Sequence, residues 1–268
     1  MAEVSAARAM AHVGAVLAIA QRDATKFLSD RPRIVAAFML PFLLVLILGH
    51  SFQGGFSGAA GFDYLTFVFT GIYAQTLFQS AALGLVSLLE DRETDFSQEL
   101  FVAPISRYAI VVGKILGESL VALVQAAGIG VFALVIGVPL PLTALPGLAL
   151  VGIIACLYGG SFGLVLLSAV RSRRLAEQLF NFVFLPQFLL AGVFNPIGSL
   201  PVYLDVLSRM APMRYAVDLT RAVFYAGRPD RTAVVVDGLG IDILVISVAF
   251  TTFLVAGTAL FVRTERGG

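Results

Sequence analysis

Six segments of this chain are apolar enough and long enough to cross a lipid bilayer, and that property excludes most folds. They cover residues 34–49, 64–89, 108–137, 145–170, 179–194 and 239–262. A hydrocarbon core takes about 20 helical residues to cross. It offers backbone N–H and C=O groups no partner, so each crossing segment must close its own hydrogen bonds as an α-helix. Composition agrees: 59% of the 268 residues are hydrophobic and 13% charged, against about 25% charged in a soluble domain. The expected fold is an all-α membrane protein of six transmembrane helices, one domain over residues 1–268.

Basic residues orient the spans, because short cytoplasmic loops carry the excess of Lys and Arg. The N-terminal segment has Arg8, Arg22, Lys26, Arg31 and Arg33; the second connection has Arg92, Arg107 and Lys114; the fourth has Arg171, Arg173 and Arg174; the tail has Arg263 and Arg266. The first connection (HSFQGGFSGAAGF) and the third (GVPLPLTALPG) have none. This alternation puts both termini in the cytoplasm. The connection 195–238 should then be external, yet it holds Arg209, Arg214, Arg221, Arg228 and Arg231. Asp205, Asp218, Asp230, Asp237 and Asp242 nearly balance them, so the segment reads as a structured external subdomain. Residues 239–268 supply the last span and a cytosolic tail.

Ahead of the first span, Val13, Val16, Leu17, Ala20, Ala24, Phe27 and Leu28 recur at three- and four-residue steps, with Arg22 and Lys26 off that stripe and Pro32 at its end. This is the pattern of an amphipathic helix lying in the membrane interface. It makes 1–33 a separate element before spans one to five, which occupy 34–194. No charged head, apolar core and small-residue cleavage site mark a signal peptide. Within the spans, GKILG (113–117) and GGSFG (159–163) carry the small-xxx-small pattern of close helix approach.

Several chemistries lack their residues. A phosphate-binding loop needs GxxxxGK[ST]; the nearest text, YAIVVGKIL, lacks the upstream glycine. His12 and His50 are the only histidines, and neither is placed to serve a Ser or Cys nucleophile. Cys156, alone in VGIIACLYGG, reads as a small buried hydrophobe. Asp91 and Asp95 form a DxxxD pattern that could hold Mg²⁺ and a diphosphate, as membrane prenyltransferases do. Such an enzyme needs a second acidic loop, and the fourth connection, RSRR, is basic. A net charge of +1 gives no electrostatic case for nucleic acid. No catalytic, metal or cofactor residue is therefore expected.

An acidic island interrupts the apolar chain. It reads EDRETDFSQELFVAPISRYAIVVGK over 90–114. DFSQELFV can form a short helix with Thr94 as N-cap and Pro104 as its stop. About ten residues, 94–103, make a rod of roughly 15 Å with Phe96 and Leu100 on one face. Such a rod suits docking into a cleft on a partner, or else it is a solvated loop that keeps charge inside.

The whole chain resembles the permease subunit of type-2 ABC exporters, in the branch of daunorubicin and multidrug exporters. Two stretches carry the resemblance. One is the acidic run leading to PISR and then GK. The other follows the fifth span and reads AGVFNPIGSLPVYLDVLSRMAPMRYAVDLTRAVFYAG. A glycine often present before Thr94 in the family is missing here. The resemblance implies a coupling helix in the island, seated in a groove of a separate ATPase subunit through Asp95, Phe96, Gln98, Glu99, Leu100 and Phe101. It implies that 1–33 is a connector helix that also touches the ATPase, and that 196–225 forms two re-entrant helices. It further implies two permeases, identical or related, with two ATPase subunits that bind ATP and Mg, in a prokaryotic cell membrane.

Polar residues inside the spans are the candidates for a substrate path or gate: Gln75 and Gln79 on the second, Lys114, Glu118 and Gln125 on one face of the third, Gln178 and Asn181 opening the fifth. Buried charge in a membrane is costly and is kept for a reason; Lys114 and Glu118, one turn apart, could instead pair structurally. The 22 Phe residues suit an amphipathic or lipid-like cargo, or simply face lipid. A polysaccharide exporter and an ion-coupled secondary transporter are the alternative readings. The latter predicts broken helices with ion ligands, and only Glu118 answers that description.

Overall fold

The computed structural model describes residues 2–89, 107–170 and 172–266. Every regular element among them is helical. The helices are α1 (Ala2–Ser29), α2 (Arg31–Ala60), α3 (Tyr64–Gly84), α4 (Arg107–Val135), α5 (Leu145–Ser168), α6 (Arg173–Leu190), α7 (Val202–Arg209), α8 (Pro212–Phe224), α9 (Arg231–Val234) and α10 (Leu239–Arg266). The coupling-helix segment 94–103, with Asp95, Phe96, Gln98, Glu99, Leu100 and Phe101, and also Asp91, lie outside the described residues.

Five stretches of helix are long and apolar enough to cross a membrane: Arg31–Gly49, Tyr64–Leu89, Ala109–Val135, Leu142–Ser168 and Arg231–Phe261. They match five of the six expected spans. The expected fifth, 179–194, falls on α6, which starts earlier with Arg173, Arg174 and Glu177 and stops at Leu190. Its charged opening keeps it below that standard, and the chain turns through Gly192 at φ +74° before the expected end. The first connection also differs. It was expected to be a loop from His50, but α2 runs on to Ala60 and ends at Gly61, whose φ of +73° suits a residue without Cβ.

α3 is the axis of the bundle. Its sequence has no polar face, and its residues are buried all round, as a helix enclosed by neighbours requires. It packs on α2, α4, α5 and α8, while α10 lies along α5. Small residues let these helices meet. A Cβ on Gly159 would strike the Phe78 carbonyl, and one on Gly163 would strike that of Ala82, so the GGSFG stretch seats α5 directly on α3. Likewise Gly113 and Gly117 of GKILG face Val16, Ala20 and Asp23, which seats α1 on α4.

Much of the phenylalanine serves this packing. Phe67, Phe69, Phe78, Phe180, Phe184 and Phe224 are all buried. Phe78 sits 5.3 Å from Tyr158 and 6.1 Å from Phe184 in edge-on contact, joining α3, α5 and α6. Cys156 is buried in the same core, as expected.

The N-terminal helix divides the expected apolar stripe between two faces. Ala20 and Phe27 do turn inward, but Val13, Leu17 and Leu28 are exposed. The inward face also holds Asp23, which the sequence pattern had given no role. Asp30 then caps α2 by accepting the Arg33 N–H at 3.1 Å, and Pro32 occupies its first turn, where a missing N–H costs nothing.

Candidate functional site

Polar residues from several helices converge on a cavity of about 620 Å³. α3 contributes Gln75, Thr76 and Gln79; α4 contributes Glu118 and Gln125; α1 and α2 add Lys26, Asp30 and Arg33; α6 adds Arg173 and Glu177. Of the candidates read from the sequence, Gln75, Gln79, Glu118 and Gln125 are therefore brought together. Asn181 and Gln178 are not: both lie on the exposed side of α6.

The local sequence explains the arrangement. Gln75 and Gln79 are one turn apart on α3, and the Gln75 amide donates to the Gln79 carbonyl oxygen. Glu118 lies where α3 loosens into its last turns. Ser87 Oγ lies 3.2 Å from Glu118 Oε1 and also close to the Gly84 carbonyl. A Cβ on Gly84 would overlap the Glu118 carboxylate, so the small residue makes the pocket for it. Glu118 is 3% exposed. Gln125 Oε1 is buried without a hydrogen-bond partner and remains open to one. The lining thus offers acceptors and donors beside apolar Phe27, Leu40, Leu83 and Val121, which suits a molecule with both polar and apolar parts.

Lys114 takes a partner that the sequence had not suggested. Its Nζ lies 2.9 Å from Asp23 Oδ2 of α1, with both side chains buried. Helical spacing alone pointed to Glu118, one turn away. The geometry of the α1–α4 crossing puts the second carboxylate at hand.

A second polar network organises 195–238. Arg214, fully buried on α8, donates through Nε and Nη2 to Asp237 Oδ2 at 3.1 and 2.9 Å. Its Nη1 reaches Asp205 Oδ1 at 3.0 Å and Ser208 Oγ at 2.9 Å. Hydrogen bonds from Arg214 and Arg209 hold the Asp205 carboxyl below its usual value. Arg221 lies 3.7 Å over the Phe67 ring and donates to the Gly192 carbonyl at 2.8 Å, tying α8 to α3 and to the turn after α6. Arg209, Arg214 and Arg221 are thus held by hydrogen bonds, and residues 196–225 contain two short α-helices, α7 and α8.

A bundle of long apolar helices around a polar cavity defines a multi-pass membrane protein. Comparison with known proteins agrees: the profile of the ABC-2 type transporter family matches residues 14–225. The chain belongs to this family. It is 31% identical over 170 residues to the probable multidrug ABC transporter permease YbhR of Escherichia coli K12, covering 60% of this chain and 44% of that protein. It is 25% identical over 206 residues to the putative transport permease ycf38 of Cyanophora paradoxa, covering 74% of this chain and 70% of that one. The match to YbhR thus spans less than half of that relative's length.

Proposed function

We propose that this chain is the transmembrane subunit of an ATP-driven exporter that moves an amphipathic, drug-like or lipid-like substrate outward. The observation that carries the reading is the cavity lined by Gln75, Gln79, Glu118 and Gln125 within a chain of the ABC-2 family. ATP and Mg bind a separate ATPase subunit, and two permeases with two ATPases make the transporter. The chain crosses a prokaryotic cell membrane six times with both termini cytoplasmic. α6 supplies the fifth span, with its charged first turn among the headgroups, and α7 and α8 dip into the outer leaflet.

In this reading, residues 94–103 couple the two parts. Closure of the ATPase pair moves the coupling helix, and a stiff lever on a bistable interface carries the motion to the cavity. Phe96 and Leu100 anchor the helix in the ATPase groove, with Asp95, Gln98, Glu99 and Phe101 around them. Glu99 meets a basic residue there.

The test is co-purification with the cognate ATPase, then ATP turnover in lipid nanodiscs for wild type and Glu99→Arg. A stable complex whose assembly or turnover collapses in the variant is the expected result. Wild-type turnover in Glu99→Arg would remove the coupling assignment, and failure to assemble with any ABC ATPase would remove the ATP-driven reading.

A further inference from the structure

Where α8, the segment before α10 and the first turn of α10 meet, three carboxylates crowd together. Asp218, Asp237 and Asp242 each bring an oxygen within 4.8 Å of the other two. Two of them are satisfied. Asp218 Oδ1 accepts the Val236 N–H at 2.9 Å, and its Oδ2 accepts those of Asp237 and Gly238 at 2.7 and 3.3 Å. Asp237 Oδ2 holds Arg214. Asp242 is different: it is 0% exposed, and neither of its oxygens has a hydrogen-bond partner. A buried carboxylate in that condition needs a positive charge or a proton. The first-turn position at the start of α10 helps it, but a helix dipole falls well short of that need.

Charge and geometry both point to a cation. Asp205, Asp218, Asp237 and Asp242 face three guanidiniums, Arg209, Arg214 and, beside Asp218, Arg221, which leaves one negative charge in excess. Calcium binds oxygen at 2.3–2.6 Å, so two ligands of one ion can stand about 5 Å apart. These oxygens lie within 4.8 Å of one another, inside that span. Access runs past Asp237, whose side chain is 18% exposed.

We propose that Asp218, Asp237 and Asp242 form a binding site for a hard divalent cation, which clamps α8 to the start of α10. The site stands apart from the transport reading, since it uses none of the cavity residues. Bound there, the ion satisfies Asp242 and ties the buried subdomain to the last long helix.

The test uses the full chain in phosphatidylcholine nanodiscs, stripped with chelator. Calcium, magnesium and potassium chlorides are titrated separately by calorimetry, and thermal unfolding is followed in each. Saturable uptake of a divalent cation, calcium or magnesium, with a rise in Tm and no uptake of potassium is the expected pattern. Asp242→Asn should bind calcium at least roughly tenfold more weakly, because the site loses one of three charged ligands, while Asp230→Asn, away from the site and the cavity, should bind as wild type does. In chelator, Asp242→Asn removes an unpartnered charge and should be at least as stable as wild type; in calcium the order should reverse. No saturable uptake by wild type, or no such reversal, would overturn the proposal and assign Asp242 a shared proton. If Asp242→Asn does not fold, wild-type uptake alone still decides the matter.

Discussion

Lys114 Nζ and Asp23 Oδ2 stand 2.9 Å apart, closed off from solvent where the N-terminal helix crosses α4. The ion pair ties the first helix of the chain to the bundle. It sits between Gly113 and Gly117, whose lack of side chains lets the two backbones approach.

Breaking that pair from one side should be expensive. Asp23→Ala leaves the Lys114 ammonium buried, and a loss of about 3–5 kcal/mol is expected. Adding Lys114→Met should recover much of it. Unfolding of both single variants and the double variant, compared as a cycle, checks this; additive losses would count against a direct pair.

The α3–α5 seam should tolerate no added carbon. Gly159→Ala places a Cβ against the Phe78 carbonyl, which is backbone and cannot turn aside. Overpacking of this kind costs about 1–3 kcal/mol. A lower Tm and a smaller monodisperse fraction after extraction should report it, whereas Gly14→Ala, at a position with open space, should leave both nearly unchanged.

Arg221 should resist even a conservative change. Its guanidinium stacks on Phe67 and reaches the Gly192 carbonyl at the same time. A lysine cannot present a planar group to the ring and a second donor to the carbonyl. Arg221→Lys is expected to lower stability by about 1–3 kcal/mol, with most of the loss from the contact at Gly192. Thermal melts compared with Arg231→Lys, at a less buried position, separate this from a general charge effect.

The cavity residues should matter to transport more than to folding. Glu118→Gln keeps the side chain's volume and its contact with Ser87, and Gln79→Leu removes the acceptor of Gln75. Both should assemble normally with the ATPase. Stimulation of ATP turnover by an amphipathic drug panel should need roughly tenfold more drug, a change of about 1.4 kcal/mol in binding. Unchanged stimulation in both variants would move the path elsewhere.

Asp205 gives the subdomain an acid limit. Its carboxyl is held below the ordinary value by Arg214 and Arg209. A depressed native value means that the group adds stability above the unfolded value of about 3.9, and that this is lost as pH falls through the native one. Melts of wild type and Asp205→Asn should therefore differ near neutrality and converge in strong acid.

Much of the bundle was legible because lipid imposes a local rule: a segment that crosses must be a long apolar helix, whatever its neighbours are. Hence five of the expected spans, the Gly113/Gly117 and Gly159/Gly163 contact faces, and a charge-balanced 195–238 segment could be read residue by residue. Gln75, Gln79, Glu118 and Gln125 were visible as polar residues out of place. The ends of α2 and α6 were less legible, because glycine-rich and charged stretches are helical or not according to what they pack on. Pairings across the chain were not legible at all. Asp23 had no role in the pattern until α4 crossed it, and Asp242 was one of five aspartates balancing the arginines until α8 brought Asp218 beside it. Composition and period act along the chain, whereas the partner of a buried charge depends on which helices cross and at what height.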